Sequence, residues 1–180
     1  IWKIDEPNAE PLWLGHSLWL VAARWNLTTN RVLLLTGSEG VVSFDAVSGT
    51  PLFGVRLARP GVRDGVWSRD GSLIATCSGS RVHIWSGQNG ALLSELAGHG
   101  SDVTSLAFDP TGARLATVST DRTVRIWDPR TGDEMRRLSR HENSVLSVSW
   151  SPDGKRLLTV AADRTARIWD AARERQLVEF

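Results

Sequence analysis

The chain has 180 residues with a formal net charge of +1. The balance holds on both sides, since residues 1–97 carry 8 basic and 8 acidic side chains and residues 98–180 carry 13 and 12; without a basic block, no nucleic-acid partner is expected. The single Cys77 excludes an internal disulfide framework and a cysteine-rich zinc site and fits a reducing, cytoplasmic compartment, while no apolar run reaches the length of a membrane span and no signal peptide heads the sequence.

Taken in order, the elements repeat. The chain opens without Met on Ile1-Trp2, in mid-pattern, which points to an excerpt of a longer protein. Residues 1–14 read as the end of one unit, with a turn at Glu6-Pro7-Asn8 and a short strand at Leu12-Trp13-Leu14. Residues 15–57 form the first complete unit: LVAARW, a polar turn at Asn26 to Asn30, then RVLLLT and GVVSFD joined by Gly37–Gly40, and a fourth strand near Leu52–Val55. Residues 58–97 form a degenerate unit, with LIATC, RVHIW and ALLSEL in register but no His at its head and no Asp before its third strand. In residues 98–139 the unit is complete: GH, VTSLAF, DPTG, RLATVS, TD, TVRIWD, TG and EMRRL. Residues 140–180 repeat it with Arg140 in place of the Gly, ending on a fourth strand at Gln176–Phe180.

The period is nearly constant. An aromatic closes a β-like run at Trp2, Phe44, Trp85, Trp127 and Trp169, at spacings of 42, 41, 42 and 42. His16, His99 and His141 each precede the aromatic of their unit by 28 residues. A fixed period in this range marks a repeat architecture. Four short strands per unit, punctuated by Gly, Asp, Asn and Ser, predict an all-β array of propeller-like blades.

GH, SPDG and D-x-T-x-R-I-W-D at this spacing resemble the WD-repeat β-propellers, strongly over 98–180 and weakly over 15–97. The resemblance implies four-stranded antiparallel blades, four of them full and one partial. It also implies a structural tetrad in each good repeat: His99, Thr117, Asp121 and Trp127, then His141, Thr159, Asp163 and Trp169. Ser119 competes with Thr117, since both lie on one strand face. The chemistry is coherent, because an indole N–H only donates, a hydroxyl relays, imidazole does both, and a carboxylate only accepts. The first unit keeps His16 and Thr36 but has Phe44, and the second keeps only Thr76 and Trp85, so both networks should be broken.

Sharper readings compete with these. His99-Gly100-Ser101-Asp102 holds the residue types of a hydrolase triad, but triads are assembled by geometry rather than by sequence neighbours. The histidines fall in separate units, so no metal site and no cofactor are expected. The Gly37–Gly40 stretch precedes no helix that could present N–H groups to a phosphate. Trp25, Trp67, Phe108 and Trp150 recur and are expected in the core, whereas Trp13 and Trp19 stand apart as interface aromatics. Cys77 reads as a small core residue.

By analogy with the family, one edge of the array collects loops 97–103 and 139–144 with turns 119–122 and 161–164. There Asp102, Arg122, Arg140, Glu142, Asn143 and Arg164 form a mixed polar set suited to a protein or peptide partner. A non-catalytic scaffold is thus expected, with no nucleic acid and no membrane. An alternative is the sensor repeat region of a multidomain signalling ATPase or kinase, bacterial if the Arg-rich, Tyr-free composition reflects a GC-rich genome. A propeller enzyme is the third reading, without a supporting cluster. The two ends do not complement one another, so further blades of the same protein, or another copy, are expected to cover the faces near Trp2 and Trp169.

Overall fold

The computed structural model describes residues 20–26, 28–36, 40–55, 61–173 and 175–180. These residues form four separate four-stranded antiparallel sheets and no helix. The first sheet contains β1 (Leu20–Asn26), β2 (Arg31–Thr36), β3 (Gly40–Asp45) and β4 (Pro51–Val55). The second contains β5 (Asp64–Trp67), β6 (Leu73–Ser78), β7 (Arg81–Ser86) and β8 (Leu92–Ala97). The third is β9 (Val103–Phe108), β10 (Leu115–Ser119), β11 (Val124–Trp127) and β12 (Glu134–Leu138). The fourth is β13 (Val145–Trp150), β14 (Arg156–Ala161), β15 (Ala166–Asp170) and β16 (Arg175–Glu179). In each sheet the strands lie in chain order, as short turns between successive hydrophobic runs require.

The sheets stack face to face through their first strands, β5 against β1, β9 against β5 and β13 against β9. Stacking explains why β6 and β10 read as continuous apolar runs: each is flanked by sheets on both faces and is buried along nearly its whole length. Three cores result. Leu33, Leu35 and Val41 pack against Trp67, Ile74 and Trp85 between the first two sheets. Ala75, Cys77 and Ile84 meet Val103, Leu106 and Trp127 between the second and third. Val118, Val124 and Ile126 meet Val148, Leu157 and Trp169 between the third and fourth.

The aromatic that sets the period also sets a kink. Pairing of each third strand with its fourth slips at Ser43/Phe44, Ile84/Trp85, Ile126/Trp127 and Ile168/Trp169. A slip of this kind bends the strand and re-aims the side chain beside it. The side chains of the third strand thereby keep the indole inside, where Trp127 and Trp169 are almost fully buried.

Polar ties reinforce the stack. Asp64 on β5 reaches both neighbouring sheets, accepting from Arg24 on β1 at 2.8 Å and from the Leu106 amide on β9 at 3.3 Å. Thr104 donates to the Val145 carbonyl, and the Trp150 indole donates to the Ala107 carbonyl at 2.9 Å.

Two expectations about the core need correction. Trp25 is 54% exposed, whereas its counterpart Trp67 is 9% exposed. The reason is directional: Trp67 and Trp150 pack back onto the preceding sheet, and no sheet precedes β1 among the described residues. Trp169 also does not lie on an open face, because it packs against the third sheet. The open face of the fourth sheet is the reverse one, where Leu158 and Val160 are each 41% exposed and Phe180 is 71% exposed. Their counterparts in the third sheet, Ala116, Val118 and Leu138, are buried under the fourth. No packed interface of this size joins the fourth sheet to the first among the described residues. The readings placed on Trp2, Leu12–Leu14, Trp13, His16, Trp19 and most of Gly37–Gly40 lie outside the described residues.

Candidate functional site: two buried histidine networks and the edge they support

In the third sheet, β10 presents Thr117 and β11 presents Trp127 on the same side. The Trp127 indole donates to Thr117 Oγ1 at 2.9 Å. Thr117 Oγ1 lies 2.7 Å from His99 Nε2, and His99 Nδ1 lies 2.9 Å from Asp121 Oδ2. The ring stands edge-on to the indole, with centroids 6.3 Å apart. One hydrogen arrangement satisfies every member: Thr117 accepts from Trp127 and donates to Nε2, while Nδ1–H donates to the carboxylate. The fourth sheet repeats this closely. Trp169 donates to Thr159 at 2.9 Å, Thr159 meets His141 Nε2 at 2.8 Å, and His141 Nδ1 meets Asp163 at 2.8 Å.

Each aspartate also ties two segments of chain together. Asp121 Oδ2 accepts from the Gly100 amide at 2.9 Å, and Oδ1 accepts from the Thr123 amide and hydroxyl at 2.9 and 2.7 Å. Asp163 accepts from the Glu142 amide and from the Thr165 amide and hydroxyl. The loop entering the first strand is thereby pinned to the turn between the second and third strands. Burial acts to raise the Asp121 carboxyl, but hydrogen bonds from Thr123, His99 and the Gly100 amide outweigh it and hold the group below the usual carboxylate range. Asp163 is held down in the same way, its burial overcome by His141 and Thr165. Burial lowers the His99 imidazole, against the pull of Asp121, which favours the neutral Nδ1–H form.

Ser119 takes another part. Its hydroxyl donates to the Ser101 carbonyl and accepts from the Asp121 amide, so it shapes the turn, while the indole donates to Thr117. Thr123 and Thr165 were missed from the sequence, although the Thr two places after Asp recurs in both D-R-T stretches and is the usual side chain–backbone turn pattern. Arg125 and Arg167 were missed as well. Both are buried, and Arg125 lies 5.9 Å from the Trp127 ring centroid and pairs with Glu134. Arg167 lies 3.4 Å from Glu179 and donates to the Arg140 carbonyl. A strand arginine reads as solvent-facing unless its partner on the adjoining strand is known.

The weaker units differ physically. The Trp85 indole still donates to Thr76 at 2.9 Å. His83 stacks on Trp85 with centroids 5.6 Å apart, at the strand position held by Arg125 and Arg167 in the later sheets. In the first sheet Phe44 has no N–H, and the place of Thr117 is taken by Leu34, paired with Val42 as Thr117 is with Arg125; Thr36, expected there, lies two residues further on and donates to the Gly40 carbonyl. The triad-like run comes apart: His99 faces Thr117 and Asp121, Ser101 Oγ accepts from Thr120, and Asp102 is exposed. Among the described residues no group of three or more His, Cys, Asp or Glu is arranged to hold a metal ion.

Above the networks the side chains of Asp102, Arg122, Arg140, Glu142, Asn143 and Arg164 are all exposed along one edge. Arg122 and Arg164 both adopt φ of 70°, a left-handed conformation that side chains other than Gly, Asn or Asp rarely take.

The family model described as WD domain, G-beta repeat matches residues 58–86, 90–128 and 132–170, more than half of the chain. This chain belongs to the WD40 repeat family. The WD40 matches at 90–128 and 132–170 each begin near the last strand of one sheet and end with the third strand of the next, so the sequence repeat straddles two blades. Among similar proteins, Protein HIR1 of Mycosarcoma maydis is 38% identical over 105 residues, covering 58% of this chain and 10% of that protein. A Periodic tryptophan protein 2 homolog of Neurospora crassa is 55% identical over 42 residues, covering 23% of this chain and 5% of that protein. A U4/U6 small nuclear ribonucleoprotein PRP4-like protein of Arabidopsis thaliana is 44% identical over 57 residues, covering 31% and 10%. The chain thus spans a tenth or less of the length of these relatives. Among the described residues no helix is long and apolar enough to cross a membrane.

Proposed function

We propose that this WD40 segment is a rigid, non-catalytic scaffold that holds a protein or peptide partner on the edge formed by loops 97–103 and 139–144 and turns 119–122 and 161–164. One observation carries the reading. Each buried His–Asp pair is consumed in fixing a loop to a turn, which spends its chemistry on rigidity and leaves Asp102, Arg122, Arg140, Glu142, Asn143 and Arg164 outside as fixed contact groups. Two arginines in left-handed backbone, where glycine would be easier, add support, since strain of this kind gathers at functional positions. A relative named for a ribonucleoprotein particle fits a part that works inside an assembly. None of the three relatives named above carries an ATPase or kinase in its name, so the signalling reading gains no support; a name referring to a small nuclear particle likewise gives none to a cytoplasmic placement.

The same proposal divides the chain into blades at 15–57, 58–97, 98–139 and 140–180, with 1–14 ending another. It also places a further blade, from the same protein or another copy, over Leu158, Val160 and Phe180, because the fourth sheet covers the equivalent face of the third. Affinity purification of the tagged protein with quantitative mass spectrometry tests the edge. Proteins captured by the wild type and lost from an Arg122→Glu/Arg164→Glu variant support the reading. An unchanged set, or a hydrolytic activity abolished by His99→Ala, overturns it.

A further inference from the structure

At the end of the sheets remote from the histidine networks, a cleft of about 620 Å³ opens beside the 151–154 turn and the turn that follows β15, with Leu177 on its wall. Four cationic side chains reach it: Arg114, Lys155, Arg156 and Arg173. Arg114 is immobilised. It donates to Asp109 at 3.0 Å and to the Gly154 carbonyl at 2.7 Å, and its guanidinium lies 4.5 Å over the Trp150 ring. The side chains of Lys155, Arg156 and Arg173 are exposed, and the charges of Lys155 and Arg156 act on the Asp153 carboxylate at the rim. Two carboxylates stand at the rim and are already engaged by the turns. Asp153 accepts from the Ser151 hydroxyl and the Lys155 amide, and Asp170 accepts from the Ala172 and Arg173 amides.

The repeat does not demand this collection of charge. One repeat earlier, Ser72 stands for Arg114, Ala113 for Lys155 and Thr131 for Arg173. Arg156 has its counterpart in Arg114, and Arg130 occupies the place of Ala172. Lys155 and Arg173 therefore repeat no cation of the preceding blade, whereas Arg156 repeats Arg114, which is held by the sheet that follows it.

We propose that this cleft is a separate docking site for an acidic peptide segment, whose carboxylates meet Lys155 and Arg173 and whose apolar side chain rests on Leu177. A phosphodiester backbone fits less well, because it calls for an uninterrupted cationic track and Asp153 and Asp170 break this one. The site lies at the opposite end of the strands from the edge proposed above, and neither reading depends on the other.

Fluorescence anisotropy of a fluorescein-labelled synthetic peptide of alternating Glu and Leu, titrated with the full chain, tests the proposal. Saturable binding that weakens with added salt is expected. It should fall about tenfold or more in Lys155→Glu/Arg173→Glu, fall less in Lys155→Gln/Arg173→Gln, and stay unchanged in Arg130→Glu and in Arg122→Glu/Arg164→Glu. The substituted side chains are exposed, so circular dichroism should match the wild type. The proposal is overturned if the wild type does not bind, if a Gln-for-Glu peptide binds equally, if charge reversal at Lys155 and Arg173 changes nothing, or if a single-stranded oligonucleotide displaces the peptide at lower concentration.

Discussion

Replacing Asp121 with Ala removes the acceptor on which the third-sheet network converges. Four hydrogen bonds end on that carboxylate, from His99, the Gly100 amide, and the Thr123 amide and hydroxyl. The Gly100 amide is exposed and can turn to water, so its loss costs little. The His99 side chain is 1% exposed, and its stranded donor costs about 1–3 kcal/mol. Thr123 Oγ1, 3.2 Å from His99 Nδ1, can accept that proton and offset part of the cost, while its own hydroxyl hydrogen loses the acceptor it had. The net expectation is a loss of about 1–3 kcal/mol, which for a chain of this size lowers the melting temperature by roughly 3–10 °C. Urea unfolding followed by tryptophan fluorescence and by far-ultraviolet circular dichroism measures it, with coincident transitions required for a two-state reading. Asp121→Asn should not restore full stability. Its amide nitrogen faces either the His99 and Gly100 donors or, flipped, the Thr123 amide and hydroxyl, so one set of donors loses its acceptor. Asp102→Ala, in the same loop region but exposed, should stay within about 0.5 kcal/mol of the wild type. If Asp121→Ala and Asp102→Ala unfold at the same urea concentration, the network does not bear on stability and the reasoning fails.

Acid should weaken the protein in two steps. His99 has a lowered folded pKa, so the unfolded chain binds the proton more readily once the pH drops below about 6.5, its ordinary value; Asp121 and Asp163 are also lowered, so stability falls again below about 3.8 as their protonation is forced. A urea midpoint that stays flat or rises between neutral pH and pH ~4 would contradict this sign. Cys77 is fully buried, and burial together with the charge of Asp64 pushes its thiol up to about 12; a thiol reagent should label it only as fast as the protein opens, and rapid stoichiometric labelling of the folded chain would refute the packing between the second and third sheets. The chain should self-associate through the exposed Leu158 and Val160 face, and Leu158→Glu/Val160→Glu should reduce the scattering mass at little cost in stability, within about 0.5 kcal/mol. A wild type that is monodisperse and monomeric at every concentration would speak against an unpartnered face there.

The repeat, and with it the all-β fold of four-stranded sheets, is legible in the sequence because strands joined by tight turns are local objects. Alternation, turn residues and the position of the aromatic all lie within one 42-residue period, and neighbouring strands in the chain are neighbours in space. The histidine networks were legible for a related reason: His, Thr, Asp and Trp recur at fixed offsets in two units, so one register places all four. What lies between sheets was not legible. Nor, within a sheet, were Arg125 and Arg167 legible: a charge there reads as solvent-facing, but the Trp127 indole lies beside Arg125, and Glu134 and Glu179 on the adjoining fourth strands meet the two guanidinium groups. Trp25 carries the same local signal as Trp67 and yet is exposed, and Leu158 carries the signal of a core position and yet faces outward. The covalent chain records which side of a strand a residue takes. Whether that side is dry depends on a second sheet about 10 Å away, and only the tertiary structure decides whether that sheet is there.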